Sequence, residues 1–270
     1  MPRRPDQTTR RIRAMHSVSD IGFRSAMEDR YVLEVRPQLG LFAGVYDGHG
    51  GIEAVELVAA SLHRIFFTVL GTGADATEAL AQAYREMEEQ LEDVESGTTA
   101  VTIFLGNDAL TFAHVGDGGI LLVQQRPILL TRPHRVDDPI ERTRIVAAGG
   151  TIEGGYVLRG HRGLMPTRSF GDSYFRRVGV TALPTVGERP VGAEDRYVVV
   201  ACDGLFDVLA EEEIAAILLR SGGAVAGGEA LRQEVFARGG LDNLTILVIE
   251  VDREDPPIGG RAGTLRTQGR

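Results

Sequence analysis

The sequence predicts an α+β fold, in which mostly antiparallel sheets carry packed helices, on two observations. Short β-branched and aromatic segments cluster without strict alternation with helical ones, and several are joined by connections too short for a parallel crossover. The 270 residues also suit one large sheet-based domain better than two.

The segments His16 to Ile21, Arg30 to Val35 and Leu39 to Tyr46 read as strands, set apart by Gly, Pro, Asp or Asn. From Ile52 the period changes: Ile52, Val55, Ala59, Leu62, Ile65 and Val69 recur every three or four residues, the spacing of one helix face. A second helix is expected from Asp75, which with Glu78 has capping-box spacing, and carries Leu80, Ala83, Met87 and Leu91. Strands resume over Thr98 to Leu105, Leu110 to Val115 and Ile120 to Val123. Pro139 opens a helix through Ala148 that Gly149-Gly150 ends. Strand-like pieces then run to Val157, and a less regular stretch to Val186. A strand at Tyr197 to Cys202, helical stretches near Glu211 to Leu219 and Glu229 to Ala237, and a strand at Leu244 to Val251 complete the pattern. The expected organisation is a basic tail over 1–14, one domain over 15–251, and a Gly, Pro, Arg and Thr-rich tail over 252–270.

Composition narrows the chemistry. The chain has no Lys, so its 29 basic residues are all Arg. That excludes Schiff-base chemistry, pyridoxal anchoring and the lysine-dependent forms of ATP-driven phosphoryl transfer. A net charge of -9 argues against nucleic acid as a partner. No run approaches the roughly 20 apolar residues of a membrane helix, and no apolar stretch of signal-peptide length follows the basic start. The single Cys202 sits in the apolar run from Tyr197; packing is the plainer reading and a thiol nucleophile the alternative. It is compatible with a cytoplasmic location.

The informative acids stand at strand ends. Asp47, Asp117 and Asp203 each follow an apolar strand and each precede Gly. A hairpin turn would explain one such Asp-Gly, best at Asp117, where a strand resumes at Ile120. It explains Asp47 and Asp203 poorly, because both lead into helical patterns. Glu28-Asp29 and Asp242-Asn243 lie at the starts of two more strands. Hard oxygen ligands without a His/Cys cluster point to Mg²⁺ or Mn²⁺, and ions sharing carboxylates activate water for in-line displacement at phosphorus. Beside them, Arg24 is either a surface charge or a fork for phosphate oxygens. His49 is either structural or an acid for a leaving alkoxide.

These residues resemble the metal-dependent Ser/Thr protein phosphatases of the protein phosphatase 2C type. The matches run in order: Arg24-Ser-Ala-Met-Glu28-Asp29, Val45-Tyr-Asp47-Gly48-His49-Gly50-Gly51, Ser96-Gly97-Thr98-Thr99-Ala100, Val115-Gly116-Asp117, Glu141 to Gly150, Thr167 to Asp172, Ala201 to Val208, and Asp242-Asn243-Leu-Thr245. The resemblance implies a four-layer α-β-β-α sandwich, two antiparallel sheets face to face with helices on the outer faces, and a metal cleft at one end. It implies that Asp47 bridges two core ions, Mg²⁺ or Mn²⁺, with the Gly48 carbonyl as a further ligand. Asp203 and Asp242 complete the second ion, and Glu28 and Asp29 act through bound waters. Asp117, Asp203 and Asp207 match the acids of a weaker third ion. Arg24 matches the phosphate-binding Arg and His49 the general acid, with a bridging hydroxide attacking phosphorus directly.

The expected substrates are therefore proteins phosphorylated by Ser/Thr kinases, and the expected enzyme is a cytoplasmic monomer. Departures fall outside the two-ion core. Gly118-Gly119 stands where a polar pair is usual and is expected to loosen that edge of the cleft; Pro133 stands where an Asp is common; Arg159 to Pro166 differs from the usual flap. Two rival readings remain: a catalytically silent binder of phosphoproteins, and a small-molecule phosphoesterase on the same scaffold.

Overall fold

A computed structural model describes residues 12–106 and 109–251. Three strands, β1 (Ile12–Asp20), β2 (Asp29–Arg36) and β3 (Gly40–His49), lead into helices α1 (Glu53–Gly71) and α2 (Ala76–Glu89). Strands β4 (Gly97–Thr98), β5 (Ala100–Leu105), β6 (Ala109–Val115), β7 (Gly119–Val123) and β8 (Ile128–Leu129) follow, then helix α3 (Pro139–Ala147). Next come β9 (Thr151–Glu153), β10 (Tyr156–Arg159), β11 (Arg162–Leu164), β12 (Phe170–Gly171), the single turn α4 (Ser173–Arg176), and β13 (Thr185–Pro190). The chain closes with β14 (Tyr197–Ala201), the short α5 (Asp203–Phe206), α6 (Glu211–Ser221), α7 (Ala224–Ala237) and β15 (Leu244–Val251).

The order β1-β15-β14-β7-β8 makes one sheet, and β12-β4-β3-β5-β6-β13, with β2 also on β3, makes the other. Every pairing between these strands is antiparallel. Side-chain alternation turns each sheet into a two-faced layer. Leu41, Ala43 and Val45 of β3 meet Val198 and Val200 of β14 and Leu247 and Ile249 of β15 between the sheets. Phe42 and Tyr46 of β3 point the other way, onto Leu62, Phe66, Tyr84 and Met87 of α1 and α2. Val199 of β14 and Ile246 and Val248 of β15 likewise pack on Leu218 and Leu231 of α6 and α7. The result is the expected four-layer sandwich.

Local signals hold where the chemistry is local. Asp75 caps α2, its carboxylate accepting from the Glu78 N–H at 2.8 Å. Asp138 does the same for α3 through the Ile140 N–H, ahead of Pro139 at the helix start. Helix α1 has a mean hydropathy of 1.5 and is long and apolar enough, by length and composition, to cross a bilayer. Its apolar stripe is the one that packs on β3, so the fold accounts for that composition.

Other expectations need correction. Residues 12–14, assigned to the basic tail, already belong to β1, which pairs with β15 from Ile12; residues 1–11 and 252–270 lie outside the described residues. Helix α7 starts at Ala224 rather than Glu229, because tertiary packing of Gly227 on Leu218 and Gly228 on His16 and Val18 overrides their low helix propensity. Asp117 is not in a hairpin: β6 pairs in one sheet and β7 in the other, so residues 116–118 carry the chain between layers. Nor does Gly118-Gly119 loosen the edge. A Cβ on Gly118 would lie 2.6 Å from Val101 and 2.9 Å from the Ala201 carbonyl, and one on Gly119 would lie 2.4 Å from Phe206. The glycines are what allows so close a crossing. The strand-like pieces up to Val157 are β9 and the start of β10, and the less regular stretch beyond adds β11, making a separate three-stranded sheet, β11-β10-β9, over its own small core of Ile145, Val157, Leu164 and Phe175.

Candidate active site

At one end of the sandwich, where β3, β6 and β14 finish and β2 and β15 begin, lies a cleft of about 620 Å³. Arg24, Glu28, Asp47, Gly48, His49, Asp117, Asp203 and Asp242 all line it. Antiparallel register explains the convergence. Asp29 opens β2 directly opposite Asp47 near the end of β3, and Ala201, two residues before Asp203, is opposite Ile246, four after Asp242. Asp29 is buried behind the cleft floor. Asp207 faces a smaller neighbouring recess, shared with Asp117 and Arg135.

Backbone clamps hold these positions. The Asp47 carbonyl accepts from the Thr99 N–H at 2.9 Å and from the Thr98 hydroxyl at 3.0 Å, which gives the Ser-Gly-Thr-Thr run its purpose. Asn243 staples the loop carrying Arg24 and Glu28: its amide donates to the Ile21 and Ala26 carbonyls and its oxygen accepts from the Glu28 N–H at 2.8 Å. Ser96 Oγ accepts from the Ala54 N–H and caps α1 from outside, since Ile52 has no side-chain oxygen to do so.

The acids are held at a cost. Burial, with Asp29, Asp203, Asp117 and Asp242 nearby, pushes the Asp47 carboxyl well above its usual range. Burial and Asp117 and Asp207 push Asp203 up to about 7. Asp29 is pushed up to about 6, chiefly by burial, which the nearby Thr245 hydroxyl and Cys202 thiol offset in part. Neither Asp29 oxygen completes a hydrogen bond of good geometry among the described residues. The orphaned Asp29 oxygens and the oxygen-only acids around Asp47 are a donor set whose chemistry suits Mg²⁺ or Mn²⁺. Burial also raises the Cys202 thiol well above its ordinary value, with Asp29 and Asp47 adding to it. It is a packing residue, not a thiolate.

Two arginines lie among the acids. Arg24 Nη2 donates to Asp242 at 2.7 Å. Arg135, which the sequence reading passed over, donates to Asp117, Asp203 and Asp207 together. No three His, Cys, Asp or Glu side chains among the described residues are grouped closely enough to grip an ion as they stand. His49 faces Asp172, Nε2 to Oδ2 at 2.8 Å. Burial pulls its pKa down, but Asp172 outweighs this and the net shift is upward. Asp172 also accepts from the Ser169 hydroxyl at 2.5 Å and is a further site residue missing from the sequence reading. Its signal in the sequence was its place at the end of the Thr167 to Asp172 match; in the fold Asp172 is left-handed (φ 50°), which marks a constrained turn. Gly97 makes the pair possible: a Cβ there would lie 2.2 Å from Asp172 Oδ2 and 2.3 Å from His49 Nε2.

A family model described as Protein phosphatase 2C matches residues 17–222. The chain belongs to the protein phosphatase 2C family. Probable protein phosphatase 2C 59 of Arabidopsis thaliana is 33% identical over 242 residues, which cover 86% of this chain and 77% of that one. Protein phosphatase 1F of Homo sapiens is 30% identical over 89% of this chain and 58% of its own length. Among solved structures, a serine-threonine phosphatase 2C from Toxoplasma gondii superposes with a TM-score of 0.73 at 23% identity, covering 88% of this chain and 94% of that one. A bacterial serine phosphatase gives 0.70 at 18%, over 91% and 100%. At those identities the likeness is one of fold. As a protein phosphatase 2C, the protein is a Ser/Thr phosphoprotein phosphatase, and metal-dependent dephosphorylation of phosphoproteins is the general activity of the family.

Proposed function

We propose that the cleft hydrolyses phosphoserine and phosphothreonine in proteins with two core ions, held by Asp47, the Gly48 carbonyl, Asp203 and Asp242. Glu28 and Asp29 then complete the site through bound water. The observation that carries this reading is the pair Asp29 and Asp47, opposite each other on β2 and β3, with Asp203 and Asp242 among the charges acting on Asp47. Divalent ions, when bound, supply positive charge to the phosphoryl oxygens and activate water at neutral pH.

The protein's own groups do the rest. Arg24, more than half exposed at the cleft mouth, offers a planar fork to two phosphate oxygens. Its contact with Asp242 holds it over the floor. Asp172 favours the protonated form of His49, which gives a proton to the departing Ser or Thr oxygen from Nδ1, the ring nitrogen that Asp172 does not use. A phosphoester of an alkyl alcohol needs that proton far more than an aryl ester does. A cytoplasmic monomer opposing Ser/Thr kinases belongs to the same proposal; the reduced, buried Cys202 is compatible with it.

Hydrolysis of a phosphothreonine peptide with Mn²⁺, with Mg²⁺ and with chelator tests the reading. Turnover with either ion and none with chelator is expected, whereas activity that survives chelation refutes it.

A further inference from the structure

The family resemblance assigns Asp117, Asp203 and Asp207 to a weak third ion, and the side chains present do not fit that assignment. Arg135 fills the space between the three acids. Its Nε donates to Asp117 Oδ2 at 2.7 Å, Nη2 to Asp203 Oδ2 at 2.9 Å, and Nη1 and Nη2 to the two oxygens of Asp207 at 2.9 and 3.0 Å. Four charge-assisted bonds to three carboxylates use most of the five donors of a guanidinium.

The side chain is also difficult to displace. Its backbone makes a bridge to Pro166, its carbonyl accepts from the Asp138 N–H, and the adjoining His134 N–H donates to the Gly116 carbonyl, one residue before Asp117. Arg135 therefore arrives tied to the segment that carries one of its partners. Four fifths of the side chain is covered, so little water competes for its bonds to Asp117 and Asp203, while Asp207 closes the cluster from a half-exposed position.

We infer that Arg135 is the resident cation of the Asp117–Asp203–Asp207 cluster and stands in place of a third metal ion. A divalent ion entering there would have to expel a tethered guanidinium and break all four bonds. The cluster instead acts as a positioning device, because Asp203 is also a proposed core ligand: Arg135 engages Asp203 Oδ2 and leaves Oδ1 for the cleft. This rests on the two-ion reading above, and its test counts ions rather than turnover.

The experiment is equilibrium dialysis of the full chain against millimolar Mn²⁺, with bound metal measured by elemental analysis. Wild type is expected to hold two ions. Arg135→Gln removes the internal cation and is expected to hold one more; Arg135→Lys keeps a cation in place and stays at the wild-type count. Arg135→Gln combined with Asp207→Asn should lose the added ion, which locates it at the cluster. An Arg135→Gln protein that binds no more Mn²⁺ than wild type overturns the inference, as does a third ion in wild type that Asp207→Asn removes. A wild type holding no ion refutes the two-ion core instead, and the difference between wild type and Arg135→Gln still decides the role of Arg135.

Discussion

Two groups of buried carboxylates in this molecule differ in what surrounds them. Glu141, in the first turn of α3, is 1% exposed and accepts from the Thr167 hydroxyl at 2.7 Å, from Arg144 at 2.5 Å and from Arg168 at 2.5 Å. Burial alone would raise its pKa, but these donors overcome it and hold the carboxyl down at about 2. Asp29 and Asp203, by burial first, are pushed up to about 6 and about 7. Glu141 and Asp29 are almost equally covered, at 1% and 2% exposure; what separates them is the supply of donors. Glu141 is complete within the protein and ties α3 to the segment around Thr167. The cleft acids are paired only at their margins, by Arg24 and Arg135, which leaves Asp29 and Asp47 as the groups that gain most from an added cation.

The contrast breaks first at Glu141. Glu141→Gln leaves the part-buried Arg144 and Arg168 without their shared counter-charge and should cost up to about 3 kcal/mol of stability. Denaturant unfolding measures this, and Mn²⁺ binding by the folded fraction should be unchanged. Asp203→Asn should do the reverse: turnover with Mn²⁺ falls roughly a hundredfold or more while the fold persists. Near-normal activity would remove Asp203 from the metal assignment.

Metal addition sharpens the same comparison. Mn²⁺ at a hundred times its dissociation constant should stabilise wild type by about 2.7 kcal/mol; Asp47→Asn should lose most of that gain, and with chelator should be no less stable than wild type. A thermal-shift series with and without Mn²⁺ reads both. Gly97→Ala drives a methyl into the His49–Asp172 pair and should slow alkyl phosphate hydrolysis about tenfold, leaving aryl phosphates nearly unaffected. Equal losses on both would take proton donation away from His49.

The last expected effect is one of pH. His114 and His134 stack with centroids 4.3 Å apart, and burial holds them down at about 4 and about 2. Below about 6.5 the unfolded chain therefore binds protons that the fold refuses, so stability is lost as pH falls from 6.5 toward 4. His114→Phe should flatten that slope in urea midpoints taken across the range. An unchanged slope would assign the acid sensitivity elsewhere.

Much of this was legible in the chain because it rests on local rules. Asp75 and Pro139 announce helix starts, short apolar runs announce β3 and β15, and Asp47, Asp203 and Asp242 stand at strand ends. The crossing at Asp117 was misread because Asp-Gly serves a hairpin and a sheet-to-sheet step equally well; only the pairing partners of β6 and β7 separate them. Asp172 and Arg135 were missed because each acts on a residue far away in sequence, 123 positions for His49 and 68 for Asp203.

The sequence by itself determined which segments form strands and helices and which acids stand at their ends, since backbone preference and side-chain period are properties of neighbours in the chain. Only the tertiary structure decided which charges face one another. Asp29 meets Asp47, Arg135 reaches three acids at once, and His49 finds Asp172. The energy of a buried charge depends on the donors and charges within a few ångströms, and those come from parts of the chain that only folding brings together.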